Sequence, residues 1–115
     1  MNKTALFVFN GDPMCFIHVL LNALDLHQRG DEVRVVIEGA ATGLLPELER
    51  DDHPLHKLWQ KTLAAGLVDG VCLACATKTG TADTARRIGL PMRDEMNGHP
   101  SMAAYRQAGC EIVTF

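Results

Sequence analysis

Val68-Asp69-Gly70-Val71-Cys72-Leu73-Ala74-Cys75-Ala76-Thr77-Lys78-Thr79-Gly80 is an apolar run that ends in two cysteines and opens into small polar residues. Val71, Leu73 and their small neighbours suit a strand covered on both faces, and Lys78, Thr79 and Gly80 mark where the chain leaves a sheet. The expected strand is Gly70–Ala74, followed by a polar loop from Cys75 to Gly80 and a helix over Ala82–Ile88. Strand, loop and helix in that order form the unit on which open α/β sheets place ligands, outside the carboxyl ends of the strands. Cys75 is therefore the first residue to consider for chemistry.

Working outward, Ala5–Phe9 is a short β-rich run closed by Asn10-Gly11-Asp12-Pro13. Asp12 has the chemistry of a helix N-cap and Pro13 that of a first helical residue; Phe16, Val19, Leu20, Ala23 and Leu24 then keep a helical stripe until Arg29-Gly30. Val33–Glu38 is rich in β-branched residues and completes a strand-helix-strand unit, whose right-handed crossover makes the two strands parallel. Leu44, Leu45 and Leu48 suggest a short helix, Asp51-Asp52-His53-Pro54 a break, and Leu55, Leu58, Trp59 and Leu63 a further helix with Trp59 as a core anchor. Beyond the central unit, Gly89–Arg93 could form a short extended piece that Pro91 confines to an edge or a loop. Asn97-Gly98-His99-Pro100-Ser101 is a turn leading into a helix over Ser101–Gln107, and Glu111–Phe115 is a last strand. Strands alternating with helices predict an α/β fold: a three-layer α/β/α sandwich around a mostly parallel sheet of four or five strands.

A chain of 115 residues and 12.6 kDa is expected to form one domain, residues 1–115, because smaller pieces could not bury a stable core. Its hydrophobic fraction of 47% is high for so short a chain and predicts self-association into a homo-oligomer. The net charge is −3, from 11 Lys and Arg against 14 Asp and Glu, without a long block of either sign. A nucleic-acid groove needs clustered positive charge, so nucleic acid is not an expected partner. No stretch has the roughly 20 apolar residues of a membrane span, and the apolar run near the N-terminus is too short for a signal peptide. The four cysteines, Cys15, Cys72, Cys75 and Cys110, all sit in apolar segments, which favours free thiols and a cytoplasmic location over a disulfide scaffold.

With the first three strands parallel, the loops after them share one edge, and Cys15 and Cys75 are expected to face a common crevice between the first strand and the third. Cys15 falls in the first turn of its helix, where the dipole favours a thiolate, and Lys78 is expected to add positive charge near Cys75. The Cys72-Leu73-Ala74-Cys75 spacing matches a thioredoxin-like redox pair. If Cys72 lies within the strand, however, the two sulfurs point to opposite faces, and only a turn beginning before Cys75 could bring them together. The plainer reading of Cys72 is a small buried hydrophobe. None of His18, His27, His53, His56 and His99 stands at metal-ligand spacing to the cysteines, so neither a metal nor a cofactor is expected. His99 merits attention for its place in a polar turn, although a capping role before Pro100 would explain it as well. The segment Thr77–Thr81 lacks the P-loop spacing, and no G-x-G-x-x-G or G-x-S-x-G motif is present.

A strand ending in Ala74-Cys75, a following small-residue segment with Gly80, an opening Phe7-Val8-Phe9-Asn10-Gly11-Asp12 and a terminal Tyr105-Arg106-Gln107-Ala108-Gly109-Cys110-Glu111-Ile112-Val113-Thr114-Phe115 together resemble the DsrE/DsrF-like proteins over essentially the whole chain. The resemblance implies a small cytosolic sulfur-handling protein, a homo- or hetero-oligomer, in which Cys75 accepts sulfane sulfur as a persulfide and passes it between donor and acceptor proteins. Two alternatives stand beside it: a non-catalytic domain that binds a small ligand or partner at the same crevice, and a thiol redox protein using Cys72 with Cys75. Cys15 would be a second reactive or resolving thiol, with Cys72, Lys78, Asp12 and His99 in supporting positions.

Overall fold

The computed structural model describes residues 2–115. Five strands, β1 (Lys3–Val8), β2 (Glu32–Ile37), β3 (Val68–Cys72), β4 (Met92–Arg93) and β5 (Glu111–Thr114), form one sheet in the order β4-β3-β2-β1-β5. Every pairing in it is parallel, as the crossover argument requires. The connections are α1 (Pro13–Gln28), a 3-10 turn (Gly39–Leu44), α2 (Leu45–Leu48), α3 (His56–Ala64), α4 (Leu73–Thr79), α5 (Ala82–Ile88) and α6 (Met102–Gln107). The expected three-layer α/β/α sandwich is present, and the short piece containing Met92 is its edge strand β4.

The layers are unequal. Successive residues of β1 go to opposite faces: Leu6 and Val8 join a large cluster with Phe16 and Leu20 of α1, Trp59 of α3, Ala76 of α4 and Ala85 of α5. Ala5 and Phe7 join a smaller one with Val36 and Tyr105 of α6. Phe7 and Tyr105 meet edge to face at 5.3 Å, the arrangement aromatic quadrupoles favour. The chain order accounts for this asymmetry. β1 to β4 are laid down in one direction, so their right-handed crossovers fall on one face, and the step from β4 back to β5 beside β1 sends α6 to the other.

The central segment departs from the sequence expectation. The strand ends at Cys72, not Ala74, and residues expected to form a loop are the helix α4. Leu73, Ala74, Ala76 and Lys78 are good helix formers. The threonines that suggested a loop turn their hydroxyls back onto the helix, Thr77 donating to Leu73 O at 2.8 Å and Thr79 to Cys75 O at 3.1 Å. Gly80 closes the helix at φ +75°, where a side chain would be strained. Upstream, Asp12 caps α1 by accepting from Met14 N at 2.9 Å, with Pro13 in the first turn as expected. No helix among the described residues is long and apolar enough to cross a membrane.

Candidate functional site

Three neighbouring strands deliver side chains to one place at the carboxyl edge of the sheet. Glu38 follows β2 directly, Cys72 ends β3, Cys75 lies in the first turn of α4, and His99 comes from the turn after β4. One donor atom from each of these four residues lies within 4.8 Å of the other three.

Cys72 is the centre of the group. It is the N-cap of α4, and its sulfur accepts a hydrogen bond from Cys75 N at 3.3 Å. Because the chain turns from strand to helix at this residue, Cys72 and Cys75 do not point to opposite faces, and both sulfurs approach the same imidazole nitrogen. His99 Nδ1 is 3.0 Å from Cys72 Sγ and 3.7 Å from Cys75 Sγ. Cys72 is wholly buried, whereas Cys75 is half-buried and reachable. Burial, and then the neighbouring Cys75 thiol, push the Cys72 thiol up to about 12, so at neutral pH it carries its proton. Glu38 is also buried, and burial raises its carboxyl to about 7.

His99 is held by a two-residue hairpin. Met96 and His99 exchange backbone hydrogen bonds of 2.8 and 3.0 Å, and between them Asn97 and Gly98 have φ of +51° and +89°. Left-handed backbone at both central positions is what a tight hairpin turn of this length requires, and Asn-Gly is the pair that adopts it most readily. The hairpin docks on the start of α4 through Ala74 N, which donates to Gly98 O at 2.9 Å. This bond also satisfies one of the free amides of the first helical turn.

On the other side, α4 is tied to the 3-10 turn that follows Glu38. Thr42 Oγ1 and Thr79 Oγ1 are 2.9 Å apart, and Thr79 Oγ1 is 3.0 Å from Thr81 Oγ1. Gly39 lets the backbone turn sharply beside Phe9, with φ of +56° and no room for a relaxed side chain: a Cβ there would sit 3.2 Å from Phe9 O. The rigid exit from β2 leaves Glu38 facing the cysteines.

The remaining residues singled out in the sequence lie elsewhere. Because β2 stands between β1 and β3, Cys15 does not share a crevice with Cys75. It lines a separate cleft with Asn10, His18, Asn22 and Phe115. Asp12 is an exposed cap of α1, and Lys78 is exposed in the last turn of α4, where it faces the carbonyl end of the helix dipole. His53 accepts from Leu55 N at 3.0 Å and His56 Nδ1 lies 2.8 Å from Leu48 O, so both serve the loop before α3. Glu38 was not singled out, since an acidic residue closing a strand looks like an exit to solvent. The available signal was its position, at the same sheet edge as Cys72 and in the strand beside it. His99 stood out for its polar turn, but its contact with Cys72, 27 residues away in the chain, arises only through the sheet.

No family model matches the chain. It is 30% identical over 97 residues to the uncharacterized protein MJ0733 of Methanocaldococcus jannaschii, a match covering 84% of this chain and 77% of that protein. It is 48% identical over 40 residues to an uncharacterized protein of Archaeoglobus fulgidus, covering 35% of this chain and 66% of that one. Among solved structures, the conserved protein of unknown function BT1422 from Bacteroides thetaiotaomicron superposes with a TM-score of 0.69 at 18% identity, over 99% of this chain and 95% of that one. That likeness is one of fold.

Proposed function

The chain belongs to the family of the uncharacterized protein MJ0733 of Methanocaldococcus jannaschii, and from that starting point we propose that it is a sulfur-handling protein of the DsrE/DsrF type in which Cys75 accepts sulfane sulfur as a persulfide. The observation that carries this reading is the pairing of a reachable thiol, Cys75, with a buried thiol, Cys72, around one imidazole. The thiolate is the nucleophile toward a sulfur donor, so the site needs a nearby acceptor for the Cys75 proton. His99 Nδ1 is that acceptor at 3.7 Å, and the Cys72 S–H can turn to Gly98 O, 3.7 Å away, to leave the ring free. The Cys75 thiolate then attacks the terminal sulfur of a polysulfide. The donor's S–S bond breaks, its electron pair leaves with a thiolate one sulfur shorter, and Cys75 carries the persulfide.

The reading includes self-association in the cytoplasm, with sulfur donor and acceptor proteins as further partners. Met14, Leu21, Met96 and Val113 are exposed large apolar side chains, and four unbridged cysteines suit a reducing compartment. Light scattering at micromolar concentration tests the first point, and a monomeric mass would refute it.

The sulfur test uses reduced, chelator-treated protein and an inorganic polysulfide, with intact mass and peptide mapping as readout. Wild type and Cys15→Ser should each gain sulfur on the peptide containing Cys75, and Cys75→Ser should gain none there. Equal uptake by Cys75→Ser would assign the sulfur elsewhere, and no uptake by any variant would favour a binding domain. A second reading, dithiol redox chemistry, is favoured by the placement of both sulfurs in one 4.8 Å cluster. Its signature is a Cys72–Cys75 disulfide in oxidised protein that dithiothreitol reverses.

A further inference from the structure

We propose that Glu38, Cys72, Cys75 and His99 form a four-ligand site for a thiophilic divalent cation of the zinc class. Two thiolates, one imidazole nitrogen and one carboxylate oxygen are a donor set that zinc accepts in tetrahedral geometry. Metal-donor bonds of about 2.0–2.3 Å place the corners of such a tetrahedron roughly 3.3–3.8 Å apart. His99 Nδ1 lies 3.0 Å from Cys72 Sγ and 3.7 Å from Cys75 Sγ, and the four donor atoms fall within 4.8 Å of one another. Drawing the widest pair from at most 4.8 Å into this range takes a shift of about an ångström.

The chemistry of the donors selects the ion. Thiolate and imidazole favour zinc, cobalt or cadmium, and a single carboxylate is too little oxygen for magnesium or calcium. Glu38 and Cys72 are both buried residues, so an ion held between them would be largely shielded from water. The supports are those a rigid metal site needs: the Asn97-Gly98 hairpin bonded to Ala74 N orients His99, and the Cys75 amide fixes the Cys72 sulfur. Binding converts two thiols to thiolates and releases their protons to solvent, so affinity should rise with pH.

This inference does not require the sulfur-carrier reading. The two states exclude each other at Cys75, which either ligates the ion or carries sulfur. The test is therefore made on reduced, sulfide-free protein, first stripped with chelator and titrated anaerobically with Co²⁺. Wild type should bind one equivalent, with the visible bands of tetrahedral cobalt and a thiolate-to-metal charge-transfer band, and Zn²⁺ should displace it. Cys75→Ser should lose about half of the charge-transfer intensity. Glu38→Gln and His99→Ala should each weaken zinc binding by at least about ten-fold, measured by competition with a chromophoric chelator. Glu38→Gln keeps shape and size, and circular dichroism verifies that it is folded. Only the weak spectrum of hydrated cobalt in folded, reduced wild type would overturn the proposal, as would wild-type affinity in both Glu38→Gln and His99→Ala. Polysulfide uptake, measured separately on chelator-treated protein, is unaffected by either result.

Discussion

His99 Nδ1 and Cys72 Sγ, 27 residues apart in the chain, lie 3.0 Å apart in the fold, and the same nitrogen is 3.7 Å from Cys75 Sγ. One imidazole nitrogen thus lies within reach of both a buried thiol and a thiol that solvent can reach. With the Cys72 S–H turned to Gly98 O, the nitrogen is free for the reachable thiol.

If the ring is the proton acceptor for Cys75, His99→Ala should slow alkylation of Cys75 at neutral pH by on the order of ten- to a hundred-fold, toward the lower range for a positioned base. The shape of the rate-pH profile should also change. Mass-mapped iodoacetamide kinetics on metal-free protein measure both. An unchanged profile would leave His99 only a structural part.

Gly98→Ala should damage the same site without touching its donor atoms. Gly98 has φ of +89°, and an added Cβ would stand 3.2 Å from Ala74 Cβ, against the helix on which the hairpin docks. Left-handed backbone at a residue with a side chain costs on the order of 1–3 kcal/mol. Urea unfolding should show a loss in that range, together with slower Cys75 alkylation as His99 moves. Asn97→Gly, at φ +51°, should change stability far less, because both residues tolerate that region.

Much of the sheet was legible because the β-branched runs around Val35 and Val36 and around Val71, separated by helical stripes, leave few arrangements open. The helix α4 was not, since its threonines resemble a loop until their hydroxyls are seen bonding within the helix. That error propagated to the cysteines: with Cys72 inside a strand, the pair diverges; with Cys72 as the cap, it converges. The Asn97-Gly98 turn was also visible in the sequence. What it touches was not, because its position depends on β4 lying in register with β3, Cys72 opposite Arg93.

Glu38 predicts a pH dependence of stability in metal-free protein. Its carboxyl sits at about 7 in the fold, above the ordinary value of 4.5, because burial disfavours the charge. Below 4.5 the group is protonated folded or unfolded and contributes nothing. As pH rises from there toward 7, the unfolded chain ionises first, so stability falls. Above about 7 the loss is complete and constant. Glu38→Gln should remove this slope: its unfolding midpoint should vary less than wild type between pH 4.5 and 7, and above pH 7 it should be the more stable of the two. Thermal unfolding across that interval in the presence of chelator checks this.

On the face that carries α6, Asp69 joins three elements, and its loss should be felt in all of them. The β2–β3 ladder passes from Val68 opposite Val35 to Gly70 opposite Val36, leaving Asp69 as the extra residue of a bulge. Freed from the ladder, its carboxylate accepts from Tyr105 Oη of α6 at 2.5 Å and from Arg93 Nη2 of β4 at 3.2 Å, while its backbone carbonyl accepts from Arg93 Nη2 and Nε at 2.8 and 3.1 Å. Burial and then the carboxylate raise the Tyr105 hydroxyl above its ordinary range, so it remains a donor. A hydrogen bond to a charged group contributes roughly 1.5–3 kcal/mol, and the partial exposure of Asp69 places this one toward the lower end. Tyr105→Phe should therefore cost about 1.5 kcal/mol. Asp69→Ala should cost more, since it leaves the tyrosine hydroxyl and one Arg93 donor without the carboxylate. In the double variant, the Tyr105→Phe change should add almost nothing to Asp69→Ala, giving a coupling energy of about 1 kcal/mol or more from urea unfolding. Strictly additive losses would mean that the bulge is held by its backbone bonds to Arg93 and not by the phenol.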